Sequence, residues 1–173
     1  MNICFVTPEY FPISGGTGAY VYYLSFNLLK LGHNIHVIAR DQKESEKIIN
    51  GIKVHYISGS GNALTKFWKF GRSVSKKLKE LNFQIGFDII HANLPLVPSF
   101  AIPDNSSKAI VCAVHSTWKG EALATKRDTP KDLNPNEKAM LRFNFLLRYF
   151  EKKLMKRSDA LIAVSKSGCG NLI

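Results

Sequence analysis

Short apolar segments alternate with longer segments of helical periodicity, and no other feature of this sequence constrains the fold as strongly. Several of the short segments are continuous runs of β-branched and other apolar residues, which is typical of parallel strands covered on both faces. The sequence therefore predicts an α/β fold: a Rossmann-like, doubly wound, mainly parallel sheet with helices on both faces. The candidate strands are Asn2–Val6, Ile35–Ala39, Lys53–Ile57, Asp88–His91, Ala109–His115 and Ala160–Val164.

Three of the longer segments are predicted to be helices. Gly32 follows the first as a natural C-terminal stop. The last begins at Asn134, a capping residue, with Pro135 at the first helical position and Glu137 three residues after the cap. On apolar spacing, the predicted helices run from Val21 to Leu31, from Leu64 to Leu81 and from Asn134 to Leu154.

The composition is that of an ordinary globular domain: 173 residues, 45% hydrophobic and 21% charged. No apolar run approaches the roughly 18 residues that span a bilayer, and Pro8 and Glu9 interrupt the N-terminal apolar stretch. We therefore expect one cytoplasmic domain. The three cysteines and five histidines lack the spacing of a metal site, so no metal is expected.

The formal net charge of +11 implies an anionic partner. Nucleotide phosphate, nucleic acid, a phosphorylated substrate and an acidic lipid surface all satisfy this condition, and charge alone does not choose among them. The chain ends at Ile173, shortly after the last predicted strand. We expect it to be a domain cut from a longer protein.

A glycine-rich segment, Ser14-Gly-Gly-Thr-Gly18, precedes the first helix. It contains a G-x-G pattern, and Asp41 follows the second strand, but Val21 occupies the sixth position and the glycines come well after the first strand. A dinucleotide fingerprint is therefore disfavoured. A P-loop is excluded because no Gly-Lys-Ser/Thr follows. Either the backbone N–H groups bind an anion at the helix N-terminus, or the glycines serve a turn with positive φ.

Four ordered motifs resemble the amino-terminal domain of GT-B glycosyltransferases, in particular family 4 and the glycogen-synthase-like group. They are Pro8-Glu-Tyr-Phe-Pro-Ile-Ser-Gly-Gly-Thr-Gly18, Phe87-Asp-Ile-Ile-His-Ala-Asn93, Val114-His-Ser-Thr117 and the run from Glu151 to Ser165. The resemblance spans essentially the whole chain. Asn93 stands where the family often has a second histidine, and Ser158 replaces a common alanine.

The resemblance implies that residues 1–173 form the acceptor-side domain, whereas the C-terminal nucleotide-sugar domain is absent from this chain. It implies hexosyl transfer from a UDP-, ADP- or GDP-sugar to a hydroxyl group of a glycan, lipid or small molecule, with retention of configuration. No metal or other cofactor is implied. We expect the isolated domain to fold but to be inactive.

The resemblance also assigns residues to the site. His115 would be catalytic, beside the reacting centre, although a strand-end histidine satisfied by neighbouring backbone is the alternative. The glycine loop would face the diphosphate and sugar. His91 and Asn93, at a second strand end, would line the acceptor pocket, with a structural role as the alternative. Glu9 and Tyr10, before the glycine loop, would meet the acceptor. The residues expected to bind substrate are Gly15, Gly16, Thr17, Glu9, Tyr10, His91 and Asn93. We interpret His33, His36 and His55 as structural.

Two predicted helices are rich in basic residues. By resemblance, the first implies peripheral contact with the inner face of a membrane, and the alternative is a solvated face with Phe67 and Trp68 turned toward the sheet. The second is expected to be solvated. A basic nucleic-acid or nucleotide-binding module without catalysis is the rival function, although no RNP, KH or helix-turn-helix signature appears. An NAD-linked enzyme is a third possibility. The basic residues are Lys66, Lys69, Arg72, Lys76, Lys77, Lys79, Arg148, Lys152, Lys153, Lys156 and Arg157.

Overall fold

The computed structural model describes residues 1–59, 63–104, 108–127 and 133–165, which form a seven-stranded sheet with helices on both faces. The strand order is β3-β4-β2-β1-β5-β6-β7. The strands are β1 (Asn2–Val6), β2 (Asn34–Asp41), β3 (Ser45–Ile49), β4 (Ile52–Ser58), β5 (Ile89–Leu94), β6 (Ala109–Val114) and β7 (Ala160–Ala163). The helices are α1 (Gly16–Lys30), α2 (Ala63–Ile85), α3 (Trp118–Arg127), α4 (Pro135–Arg142) and α5 (Asn144–Arg157), with a 3-10 turn at Ser99–Ala101.

The predicted α/β fold is confirmed. All six predicted strands are present with small shifts of their ends, and all neighbouring strands are parallel except β3 and β4. The sequence analysis missed β3. Its signal was the Asn50-Gly51 pair, whose φ values of 49° and 85° form the two-residue turn of a β-hairpin.

Two helix predictions need correction. The segment predicted as one helix from Asn134 to Leu154 is two helices, α4 and α5, because the chain leaves helical geometry at Phe143 (φ −101°, ψ 11°). Helix α3 was not predicted at all. Leu31, predicted on the buried face of the first helix, lies beyond its end and is 73% exposed.

The core consists of one apolar layer on each face of the sheet. Helix α1 covers one face, where Val21 packs with Phe5 and Val37 of the central strands. Helix α2 covers the other, where Val74 and Leu78 pack with Val6, Ile38 and Phe87. The continuous apolar strands are therefore covered on both sides, as their composition predicts.

The direction in which the sheet grows reverses beside β1. From β1 the chain builds β2, β4 and β3 on one side, and then crosses to build β5, β6 and β7 on the other. The switch point lies between β1 and β5, which pair in parallel from Ile3 with Ile89 to Val6 with Ala92. In open α/β sheets, ligands bind outside the carboxyl ends of the strands at such a point.

A chain of polar groups crosses the α2 face of β2, β4 and β3, from the buried His36 and His55 to the exposed Glu46. His36 Nδ1 lies 3.0 Å from His55 Nε2, and His55 Nδ1 lies 2.9 Å from Glu46 Oε1. Lys77 of α2 also pairs with Glu46, at 3.0 Å. The carboxylate can only accept, so His55 Nδ1 donates to Glu46. With His55 neutral, its Nε2 accepts from His36. Burial lowers the pKa of His36 to about 4, and the nearby His55 and Lys53 act in the same direction.

Replacement of His36 should make stability less sensitive to acid. Between its unfolded pKa of 6.5 and its folded pKa of about 4, the unfolded chain binds a proton at this position and the folded chain does not. Falling pH therefore removes stability, by up to about 3 kcal/mol over this interval. Urea unfolding of the wild type and His36→Leu at about pH 7.5 and about pH 4.5 measures the difference. His33→Gln serves as the control, and an identical pH slope in all three proteins would contradict the expectation.

Candidate functional site

Polar side chains from three elements meet at the carboxyl edge of the sheet, beside the switch point. Asn93 lies near the end of β5, and its Nδ2 donates a hydrogen bond of 3.1 Å to Val6 O of β1. His115 directly follows β6, and its Nε2 lies 3.1 Å from Asn93 Oδ1. The amide oxygen only accepts, so His115 Nε2–H is the donor. A neutral His115 therefore carries its lone pair on Nδ1. Burial lowers the pKa of His115, which favours this neutral form.

His91 lies on the same strand as Asn93 and is buried against Phe5, with ring centroids 4.7 Å apart. The Tyr20 hydroxyl of α1 is 3.5 Å from its Nε2. Burial is the main cause that lowers the pKa of His91 to about 4, and the nearby His115 acts in the same direction. Both histidines of this edge are thus held in neutral form near neutral pH.

The N-terminus of α1 lies open beside these residues. Gly15 caps it without any side-chain hydrogen bond, and no acidic residue lies in the first turn. By contrast, α4 begins with a complete capping box between Asn134 and Glu137. The first turn of a helix presents unpaired N–H groups and partial positive charge. The first turn of α1 therefore has the chemistry of an anion site.

The backbone fold does not require glycine at either position of this turn. Gly15 has an extended backbone (φ −160°), and neither Gly15 nor Gly16 adopts positive φ. The alternative interpretation, in which these two glycines serve a turn with positive φ, is therefore wrong. A Cβ at Gly16 would meet no atom within 4 Å, and one at Gly15 would meet only the Glu9 side chain, with Oε2 at 3.0 Å. Gly18 differs, since it is buried against the backbone of Tyr10. The space in front of Gly16 is open to a ligand.

The remaining predicted site residues lie at different depths. Thr17 and Glu9 are half-buried at the loop, next to Gly15 and Gly16. Tyr10 lies beneath the loop in the core, where its hydroxyl is 3.2 Å from Ser25 Oγ. The structure thus brings together Gly15, Gly16, Thr17, His91, Asn93 and His115, whereas the Tyr10 side chain packs away from this edge.

A buried carboxylate fixes the helix that follows His115. Glu151 of α5 is 4% exposed, and its Oε1 accepts a hydrogen bond of 3.0 Å from the Trp118 N–H at the first residue of α3. Asn144 Nδ2 donates to Trp118 O at 2.7 Å, and Thr117 Oγ1 accepts from Gly120 N–H. Burial raises the pKa of Glu151 to about 7. The segment carrying His115 is therefore held at both ends, by β6 and by this anchored helix.

Several side chains of the two basic helices pack against the body of the protein. Phe67 of α2 is buried, and Trp68 stacks on Phe100 with centroids 4.8 Å apart, so both aromatic residues turn toward the body of the protein. The expectation that Arg157 is solvated is wrong. Its guanidinium donates to carbonyl oxygens between Ser99 and Pro103 and pairs with Asp104 at 2.7 Å.

In the part of the chain that the structure describes, no group of three or more His, Cys, Asp or Glu side chains is arranged to hold a metal ion. Within the same residues, no helix combines the length and apolar character needed to cross a bilayer.

The seven-stranded, mainly parallel sheet is the fold of GT-B glycosyltransferases. The model of glycosyltransferase family 4 matches residues 14–173, and the chain belongs to this family. No curated protein matches the sequence significantly.

Solved structures show the same fold at low sequence identity. Sucrose-phosphate synthase from Thermosynechococcus elongatus aligns with a TM-score of 0.70 and 14% identity, covering 99% of this chain and 44% of that one. Os79 from O. sativa, in complex with UDP, aligns with a TM-score of 0.56 and 12% identity over 95% of this chain and 46% of that one. The catalytic domain of starch synthase IV from Arabidopsis thaliana, bound to ADP and acarbose, has a TM-score of 0.53 and 19% identity over 69% and 34%. The chain therefore spans less than half of each of these structures.

Sequence reasoning missed two residues of this region. Tyr20 was not considered, although it lies four residues after Gly16 and therefore on the same face of α1. Glu151 was noted only as part of a motif. Its contact with α3 could not be found from the sequence, because the partner is a backbone N–H of a helix that was not predicted.

Replacement of Glu151 by glutamine should remove one component of the pH dependence of folding. The folded pKa of about 7 exceeds the unfolded value of 4.5, so the folded state binds more protons in this interval and loses stability as pH rises. Glu151→Gln retains an oxygen acceptor for Trp118 but does not ionise. Its stability relative to wild type should rise by about 1–3 kcal/mol between about pH 5 and about pH 8. Chemical denaturation measures this, with Glu121→Gln on α3 as the control. A constant difference across pH would contradict the expectation.

Proposed function

We propose that the chain is the acceptor-side half of a hexosyltransferase that uses a nucleotide-activated sugar. The observation that carries the proposal is the pairing of an uncapped helix start, with open space before Gly16, and a neutral imidazole at His115. Tyr20 connects them, since it lies one helical turn after Gly16 and its ring centroid is 4.9 Å from that of His115. The start of α1 binds negative charge, and His115 binds a hydroxyl group.

The open helix start suits the leaving group. In glycosyl transfer, negative charge develops on the departing diphosphate, and preorganised N–H donors stabilise it without reorganisation. A side chain at Gly16 would occupy the space through which phosphate oxygens approach these donors. The approach of phosphate oxygens accounts for a glycine at position 16, which the fold itself does not require.

His115 suits the sugar. Its Nε2–H donates to Asn93, so its Nδ1 accepts a hydrogen bond from a sugar hydroxyl. Because its pKa is lowered, the ring adds no positive charge next to the anomeric carbon, which itself becomes positive in the transition state. His91 and Asn93 then form the adjoining wall of the acceptor pocket.

The donor nucleotide is held mainly by a second domain in this proposal. Two of the structural relatives bind a nucleotide, UDP in Os79 and ADP in starch synthase IV, and this chain spans less than half of either. We propose a UDP-, ADP- or GDP-sugar donor, retention of configuration, a glycan, lipid or small-molecule acceptor, and no metal. The 173-residue chain alone would be folded but inactive.

The test is nucleotide release from UDP-, ADP- and GDP-glucose, measured for the chain alone and for a polypeptide that also contains the second domain. We expect turnover only with both domains. In that form, Gly16→Ala should keep or slightly raise stability, because alanine favours helix by up to about 1 kcal/mol, yet should lower kcat/KM by roughly tenfold or more. His115→Ala should lower kcat similarly, whereas His33→Ala should not.

Two outcomes would contradict the proposal. Multiple turnovers by the chain alone would show that the second domain is not needed. Full activity of Gly16→Ala would show that the open helix start is not used. Oligonucleotide binding that falls steeply with salt, without any response to nucleotide sugars, would instead support a nucleic-acid module.

We also propose that the protein is cytoplasmic and contacts an anionic membrane peripherally through α2. Its outer face presents exposed cations at Lys69, Arg72, Lys76 and Lys79 and, at one end, Phe83 with 94% exposure. Near anionic lipid each such cation contributes about 1 kcal/mol.

Co-sedimentation with vesicles tests this contact. The chain should bind vesicles that contain anionic phosphatidylserine, and binding should fall in Lys76→Glu and at high salt. Lys138→Glu, an exposed position on α4, is the control. Equal binding to neutral and anionic vesicles would contradict the proposal.

A further inference from the structure

Tyr20 is the side chain that contacts both histidines of the site. Its ring meets His115 edge-on, with centroids 4.9 Å apart and an interplanar angle of 82°. Its hydroxyl is 3.5 Å from His91 Nε2. It lies one turn after Gly16 on the same face of α1, and so it connects the open helix start to the ends of β5 and β6.

Asn93 alone does not fix the orientation of the His115 ring. The hydrogen bond to Asn93 holds one atom, Nε2, while the backbone holds Cβ at the opposite end of the side chain. Rotation about the line between these two points still moves Nδ1 from side to side. The edge-on contact with the Tyr20 ring limits this rotation. Two contacts of different kinds together define where the lone pair of Nδ1 points.

The hydroxyl group in turn fixes Tyr20. His91 is buried and neutral and lies on a central strand, so it is a rigid partner. Burial raises the pKa of Tyr20, which keeps its hydroxyl protonated and able to donate. The ring cannot swing away from His115 without breaking this contact and exposing apolar surface.

We infer that Tyr20 is a positioning residue, whose ring sets the plane of the His115 imidazole at a fixed distance from the first turn of α1. This inference rests on the proposed function, because positioning matters only if His115 Nδ1 and the α1 N–H groups bind the same donor. An error of about 1 Å in such an arrangement lowers rates by up to roughly a hundredfold.

The experiment is ¹⁵N-histidine NMR of the 173-residue chain in wild type, Tyr20→Phe and Tyr20→Leu, titrated with pH. Wild type should show His115 protonated at Nε2 and its pKa below 6.5. In Tyr20→Leu we expect the ¹⁵N chemical shifts of the His115 ring to be averaged over its two neutral tautomers. We also expect the pKa of His115 to lie closer to its ordinary value. Tyr20→Phe keeps the ring but loses the hydroxyl contact, so His115 should be disturbed much less than in Tyr20→Leu, while the His91 nitrogens shift. Tyr23→Leu, an exposed tyrosine on the same helix, is the control.

Rescue by phenylalanine separates positioning from a general effect on folding. If Tyr20→Leu does not fold, Tyr20→Met takes its place, since methionine has similar helix propensity and more length. Unchanged His115 shifts and pKa in the folded leucine or methionine variant would overturn the inference. So would an equal disturbance of His115 in Tyr20→Phe.

UDP-, ADP- and GDP-glucose are then added to the same variants of the polypeptide that also contains the second domain, because in the proposed function that domain holds most of the donor nucleotide. This step separates the inference from the proposed function. In wild type, the nucleotide sugar should shift the NMR signals of the Gly16 amide and of His115. An affinity about tenfold weaker in Tyr20→Leu would then support both the proposed function and the positioning role of Tyr20. The absence of any shift at these positions in wild type counts against donor binding at α1. The unliganded spectra of His115 still decide the role of Tyr20.

Discussion

One hydrogen bond, from Asn93 Nδ2 to Val6 O, joins the two central strands at the edge where the polar residues collect. It exists because the sheet reverses its direction of growth between β1 and β5 and so makes these strands neighbours. Because this bond directs Nδ2 at Val6 O, the amide presents its Oδ1 to His115. The adjacency of two strands thus determines which imidazole nitrogen carries the lone pair, and a property of the topology becomes a property of the site's chemistry.

The buried ionisable groups have opposite effects on how the stability of the fold changes with pH. The lowered pKa values of His36 and His91 make acid unfavourable to the folded state, whereas the raised pKa of Glu151 makes base unfavourable. The three groups lie on different elements, so they act nearly independently. Their opposition keeps the fold stable near neutral pH, where His36 and His91 are neutral.

The sequence was most informative where local pattern and burial coincide. The continuous apolar runs of β1 and β6 gave the parallel strands, because both faces of the sheet are covered. Strand β3 was missed because it lies at the sheet edge and reads Ser45-Glu-Lys-Ile-Ile, with mostly exposed side chains. The break at Phe143 has no glycine or proline to mark it. Tyr20 was missed because its partners lie on strands far away in sequence, and only the fold brings them within contact.

Glycines occur in this chain for two different physical reasons. Gly32, Gly51 and Gly86 adopt positive φ, so the backbone itself requires them. Gly16 has ordinary geometry and open space, and glycine within a helix costs about 0.5–1 kcal/mol relative to alanine. In the proposed function, that cost is offset because a phosphate group approaches the helix start more closely than a Cβ would allow. In the same proposal, a ligand that contacts both the helix start and His115 carries an anionic group and a hydroxyl group close together, as a sugar joined to a diphosphate does.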